Sequence, residues 1–188
     1  MFSVQPTAIP DVKVVSTTWH GDERGAFSET YQRDRFVQAG IDVSFIQDNH
    51  VGSRRAGTLR GLHFQVPPAA QSKLIRVVRG AIFDVAVDIR PNSATYGKWA
   101  GMILSAENRL QYFIPAGFAH GYLTLEDDSE VIYKVDAPYA PSQERGLLWN
   151  DPAIGIEWPS LPVQPVLASR DAALPLLADL PPIEDWGR

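Results

Sequence analysis

The sequence predicts an all-β fold of short antiparallel strands, and three observations predict it. Through the centre of the chain, apolar segments of strand length are separated by clusters of Gly, Pro, Asn and Asp, the pattern of a sandwich or barrel. One of these segments alternates strictly, with Phe83, Val85, Val87 and Ile89 set against Asp84, Ala86 and Asp88, which gives it one apolar face and predicts a half-buried strand. Helix signals, by contrast, are few and short.

Taken in chain order, residues 34–39 followed by Gly40 read as a short helix with a glycine just past its end. Strands are predicted over 59–65, 73–78, 81–89, 112–114 and 130–135, each bounded by turn residues. The proline-rich stretch 158–165 suits an extended connection, and 171–180 reads as a second helical segment interrupted at Pro175.

A chain of 188 residues closes one sizeable core and falls short of two full domains. It carries 45% apolar and 21% charged residues, with no apolar run long enough to cross a bilayer. The absence of cysteine excludes disulfides and thiolate chemistry, and residues 1–10 lack the basic-then-apolar pattern of a secretory signal, so a cytoplasmic protein is expected. A net charge of −5 argues against a nucleic-acid coat protein, although two or three local arginines would serve a small phosphorylated ligand.

Two motifs bear on chemistry. Residues 115–120, PAGFAH, fit P-x-G-x-x-H, the second signature of cupin jelly-roll barrels, in which Pro and Gly set a corner and the histidine, here His120, points into the barrel mouth. The first signature of metal-binding cupins supplies two histidines as H-x-H and a glutamate, whereas this chain has His63, Phe64 and Gln65 followed by Gln71, Ser72 and Lys73. About three protein ligands are needed to hold a catalytic metal, so no metal and no other cofactor is expected.

The run TLRGLHFQVPPAAQSKLIRV at 58–77 closely resembles the signature of the dTDP-4-dehydrorhamnose 3,5-epimerase family. So do DERGAFSE at 22–29, QDN at 47–49, DVAVDIR at 84–90, YK at 133–134 and SRD at 169–171, which together span about residues 12–175. The resemblance implies a cupin-type jelly-roll barrel with a few short peripheral helices. It implies one domain over 1–188, with N-terminal strands at about 1–50 exchanged in a homodimer, a jelly-roll core at about 51–158 and a C-terminal segment at 159–188. The implied activity is epimerisation of carbons 3 and 5 of a dTDP-4-keto-6-deoxyhexose, with no membrane or nucleic-acid partner.

By the same resemblance, His63 is the base and Asp171 its hydrogen-bonding partner, Tyr133 donates a proton on the opposite sugar face, and Lys73 stabilises the enolate oxygen. Arg24, Arg60 and Arg170 are implied near the diphosphate, where planar guanidinium groups bind phosphate oxygens in pairs. Phe27, Glu29, Gln47, Asn49 and Glu144 are implied to contact nucleotide or sugar, His120 the sugar, and Tyr139 the thymine face. Arg24, Phe27 and Glu29 are implied to reach a neighbouring subunit's site.

On local sequence alone each of these residues has a plainer explanation. Asp171 has the look of a helix cap, Lys73 of a surface strand lysine, Tyr133 of a core aromatic and Arg24 of a turn residue. Their joint occurrence in one family's order is what outweighs those explanations. Three other functions compete: a single-carbon epimerase, a silent cupin that only binds a nucleotide sugar, and a metal-dependent oxygenase. Strand alternation also sets a local puzzle, since Arg60 and His63 lie an odd number of positions apart and belong on opposite faces. Either a bulge at Gly61 restores a common direction or Arg60 reaches in from the rim.

Overall fold

The structure, a computed structural model, describes residues 2–181, 183 and 186; residues 1, 182, 184, 185, 187 and 188, which include part of the expected 159–188 segment, lie outside the described residues. The chain forms β1 (Ser3–Pro6), β2 (Lys13–Ser16), β3 (His20–Asp22), β4 (Gly25–Phe27), the helix α1 (Arg33–Gln38), β5 (Gln47–Ser53), β6 (Leu59–Gln65), β7 (Lys73–Arg79) and β8 (Ala81–Asp88). It continues through β9 (Trp99–Ser105), β10 (Gln111–Ile114), β11 (Phe118–Thr124), β12 (Ser129–Val135), β13 (Glu144–Gly146) and the helix α2 (Ser169–Ala172).

The strands make two main sheets, ordered β1-β2-β10-β7-β12-β5 and β13-β6-β11-β8-β9, while β3 and β4 form a separate hairpin. The all-β expectation thus holds, with the barrel realised as two sheets that do not close on each other. Ile75, Val77, Ile82, Ala86, Leu104, Tyr112 and Val131 pack together as the inter-sheet core. Phe36 of α1 and Ile41 bury against Val15, Leu74 and Phe113, so the small helix seals one flank of the six-stranded sheet. Its N-cap is Gln32, whose side-chain oxygen accepts from the Arg35 amide, and Gly40 follows with φ +82°, as the glycine signal predicts.

Two expectations need correction. The alternating strand β8 is buried on both faces: Ile82 and Ala86 join the inter-sheet core, whereas Val85 and Val87 pack with Leu62, Phe64, Leu147, Ile154 and Leu177. Its apolar face is covered by the later chain, and the face carrying Asp84 turns inward, which alternation alone does not reveal. The second helix runs from Ser169 to Ala172 and not over 171–180; Pro175 lies beyond it, and only a single 3-10 turn, Leu177–Asp179, follows.

The register of β6 on β11 resolves the puzzle at Gly61. His63 faces His120 and Arg60 faces Tyr122, so three steps along β6 match two along β11 and one additional residue is accommodated between them. Arg60 and His63 therefore share the inward face. Gly61 sits at φ +108°, and a Cβ there would lie 2.6 Å from the His120 carbonyl oxygen and 2.8 Å from Gly121 Cα. Gly61→Ala is expected to cost roughly 1–3 kcal/mol of stability, as overpacking does, and to lower turnover further by displacing His63. Denaturant unfolding compared with turnover of the folded fraction checks both effects.

Candidate active site

A cavity of about 410 Å³ opens between the two sheets. The five-stranded sheet contributes Arg60 and His63 from β6, His120 and Tyr122 from β11 and Glu144 from β13, while the six-stranded sheet contributes Val51, Lys73 and Tyr133 from β5, β7 and β12. Because β6 and β12 belong to facing sheets, His63 and Tyr133 approach the cavity from opposite walls.

The turn that forms α2 brings Asp171 onto β6. Asp171 Oδ1 lies 2.8 Å from His63 Nε2, and Oδ2 accepts the Gly61 amide at 3.1 Å. The carboxylate is 4% exposed, so it serves the histidine and the bulge and is more than a helix cap. Since a carboxylate only accepts, Nε2 carries the proton and Nδ1 keeps its lone pair. Burial holds the imidazole below its ordinary pKa, against the opposing pull of Asp171, with Lys73 and Arg170 adding to the depression. The result is a neutral base at physiological pH with a fixed tautomer.

Lys73, the first residue of β7, is half-buried in the cavity wall and not a surface lysine. Its Nζ lies 3.4 Å from both the His63 carbonyl oxygen and His120 Nδ1. Burial pulls its pKa down to about 8, opposed by the carboxylates of Asp84 and Glu144. Burial likewise raises the Tyr133 phenol, while Arg60 opposes it, so the hydroxyl stays protonated and able to donate.

Charged groups collect at the rim. Arg170 pairs with Glu144 at 2.9 Å, and Tyr139 donates to the same carboxylate at 2.8 Å while its side chain stands 56% exposed. Arg60 reaches Ser53 Oγ at 3.3 Å. Gln47 and Asn49 are hydrogen-bonded to each other at 2.9 Å and occupy the same alternating positions of β5 as Val51, with Asn49 opposite Tyr133; they flank the cavity without lining it.

Arg24, Phe27 and Glu29 are not brought to this cavity. Arg24 pairs with Asp22, Phe27 is 70% exposed at the end of β4, and Glu29 pairs with Arg35 at 3.1 Å. Gln65, at the second histidine position of the metal-binding signature, is 4% exposed and is not among the residues lining the cavity. Its amide donates to the Ala69 and Pro138 carbonyls and accepts from the Ala140 amide, tying down the loop that presents Tyr139. Among the described residues no group of three or more His, Cys, Asp or Glu side chains stands ready to hold a metal.

Sequence reasoning missed Tyr122 and Asp84. Tyr122 was within reach, because it stands two positions after His120 and must share its face. Asp84 carried one signal, a carboxylate in the middle of a mainly apolar strand.

The geometry accords with what the chain is similar to. The family model for dTDP-4-dehydrorhamnose 3,5-epimerase matches residues 6–179. The enzyme of that name from Salmonella typhimurium is 52% identical over 178 residues, covering 94% of this chain and 96% of its own. The dTDP-6-deoxy-D-glucose-3,5-epimerase of Legionella pneumophila, solved in complex with dTDP-4-keto-L-rhamnose, superposes with a TM-score of 0.91 at 42% identity, over 96% of this chain and 95% of that one. A 3'-monoepimerase from Streptomyces bikiniensis, in complex with dTDP-quinovose, gives 0.86 at 36% identity, over 93% and 87%. The described residues contain no helix long and apolar enough to cross a membrane. With a match across nearly its whole length, and with a histidine–aspartate pair and a tyrosine on facing walls of one cavity, this chain belongs to the dTDP-4-dehydrorhamnose 3,5-epimerase family.

Proposed function

We propose that this protein converts dTDP-4-dehydro-6-deoxy-D-glucose to dTDP-4-dehydro-L-rhamnose, inverting carbons 3 and 5 without a cofactor, as a step in dTDP-L-rhamnose biosynthesis. The placement of His63 and Tyr133 on opposite walls carries this reading, because inversion requires a proton to leave one face of a carbon and another to arrive on the other. Both carbons flank the 4-keto group and are acidic for that reason. His63 Nδ1 removes the proton, the electrons move onto the carbon-4 oxygen, Lys73 stabilises the resulting enolate charge, and Tyr133 delivers a proton from across the cavity. Asp171 holds the tautomer and balances the imidazolium.

At the rim, Arg60 and Arg170 take the diphosphate, which would draw Arg170 from Glu144, and Tyr139 stacks on the thymine. Gln47, Asn49 and Glu144 contact sugar or nucleotide. Tyr139→Ala is expected to weaken dTDP binding by about 1–3 kcal/mol, the range of base stacking on aromatic side chains. Calorimetric titration with dTDP measures this directly.

A homodimer belongs to the same reading. The exposed Phe27 and the β3–β4 hairpin, outside both main sheets, are supported as a segment that completes a neighbouring subunit's site together with Arg24 and Glu29. Sedimentation is expected to give twice the 20.8 kDa chain mass at assay concentrations; a fully active monomer would contradict it. A cytoplasmic setting fits an acidic chain without cysteine.

Incubation with dTDP-4-dehydro-6-deoxy-D-glucose in deuterated water tests the activity. Deuterium at both carbons with formation of the L-rhamno product is expected. Label at carbon 3 alone would assign the single-carbon reaction, a reading favoured by the likeness to the Streptomyces monoepimerase, and label at neither carbon would leave only binding.

A further inference from the structure

We propose that Asp84 is a positioning residue for this reaction: through His120 it aims Lys73 at the substrate's keto oxygen and keeps it positively charged. The inference rests on the reading of Lys73 as the group that stabilises the enolate.

Asp84 lies in mid-β8, fully enclosed at 0% exposure, opposite Tyr122 in the register with β11. His120 Nε2 stands 3.1 Å from its Oδ2 and 3.0 Å from its Oδ1. A buried carboxylate can only accept here, so Nε2 carries the ring proton and Nδ1 is a lone pair. That lone pair faces Lys73 Nζ at 3.4 Å, on the side away from Asp84. Burial keeps the ring neutral, despite the nearby Asp84 carboxylate. Both nitrogens of His120 are therefore engaged, which leaves the ring no N–H to give the sugar and makes it a bridge between carboxylate and ammonium.

An ammonium has three N–H donors. On Lys73 two are directed at the His63 carbonyl oxygen and His120 Nδ1, each at 3.4 Å, so the third is left for a ligand oxygen in the cavity. The charged and titratable groups around Lys73 are His63 on β6, Asp84 on β8, His120 on β11, Tyr133 on β12 and Glu144 on β13. Of the two carboxylates among them, Glu144 pairs with Arg170 at the rim before the diphosphate binds, whereas Asp84 lies behind His120 and, among the described residues, forms no ion pair with an arginine or lysine. Asp84 is thus the fixed negative charge that favours the ammonium, and the group that fixes which nitrogen of His120 meets it.

The chain has four lysines and four histidines, Lys13, Lys73, Lys98 and Lys134, and His20, His50, His63 and His120, so individual side chains can be followed by nuclear magnetic resonance. With ¹³C at lysine Cε, Lys73 is expected to titrate near pH 8 in the parent protein and at distinctly lower pH in Asp84→Asn. The alkaline limb of kcat should move down with it, roughly ten-fold in kcat above the limb for each unit of displacement, with KM less affected. A Lys73 midpoint identical in parent and variant would overturn the proposal, as would a variant that loses kcat with an unmoved pH profile. Should Asp84→Asn fail to fold, ¹⁵N spectra of the parent's histidines decide the matter: neutral His120 protonated at Nε2 is expected, and protonation at Nδ1, or an imidazolium at neutral pH, would overturn it. These readouts follow Lys73 and His120 without turnover, so a parent protein inactive on the dTDP-4-keto sugar would count against the proposed function and leave the lysine titration to judge the relay.

Discussion

His63→Ala is expected to abolish epimerisation and deuterium wash-in together, because neither begins until a proton leaves carbon. A positioned general base contributes about 10²–10⁴ in rate, equivalent to roughly 3–5 kcal/mol of barrier, so the loss is large on any assay. Folding should survive, since the imidazole lies at a cavity wall and its removal leaves the Asp171 contact with the Gly61 amide in place. Asp171→Asn should be milder yet of the same kind: a carboxamide can offer its NH₂ to Nε2, which favours the tautomer with the proton on Nδ1 and removes the lone pair facing the cavity. The pH profile carries the same signature. Because burial holds His63 below the ordinary histidine value, its neutral form persists into mildly acidic solution, and kcat/KM should fall only as pH drops through that lowered midpoint. An acid limb above the ordinary histidine pKa, or a His63→Ala protein that still exchanges substrate protons at the parent rate, would remove His63 from the role of base.

The sequence made some of this architecture legible for identifiable physical reasons. Strand β6 was predicted at its observed bounds, and β7, β8, β10 and β12 within one residue at each end, because turn residues flank each apolar segment. Strand β11 was hidden for the opposite reason. Phe118–Thr124 is buried at every position, so it shows no alternation, and only the corner signature before His120 pointed to it. Strand β9 contains Gly101, whose missing side chain leaves room for the Phe83 ring and blurs the pattern.

The site divides along similar lines. His63, Asp171, Tyr133 and Lys73 could be named from family order, yet the meeting of His63 and Asp171 depends on a four-residue helix that brings in a residue 108 positions downstream, and the sharing of one face by Arg60 and His63 depends on a bulge that strict alternation does not show. Asp84 was read as the polar side of a half-buried strand because nothing local says that the later chain covers the other side. Arg24, Phe27 and Glu29, implied by family order, stand away from the cavity in this chain, Arg24 paired with Asp22, Glu29 with Arg35 and Phe27 exposed.

Tyr133→Phe should separate the two halves of the reaction. The substitution removes one oxygen from a half-buried side chain and leaves Lys73, His63 and Asp171 in place, so the enolate still forms. The proton held by His63 can then return only to the face it came from, exchanging with solvent between visits. Deuterium should therefore continue to enter carbons 3 and 5 while inversion falls by about 10²–10⁴, the contribution of a general acid. Raised by burial, the phenol of the parent is a reluctant anion and a ready donor at neutral pH, so its loss should not be relieved by lowering the pH. The informative quantity is the ratio of exchange to inversion, followed by magnetic resonance of the sugar protons in deuterated water. A ratio that rises by orders of magnitude in Tyr133→Phe, while both rates vanish in His63→Ala, places base and acid on the two walls of the cavity. Equal losses of exchange and inversion in Tyr133→Phe would mean that the phenol assists enolisation itself, and undiminished inversion would mean that another group, or water, delivers the second proton.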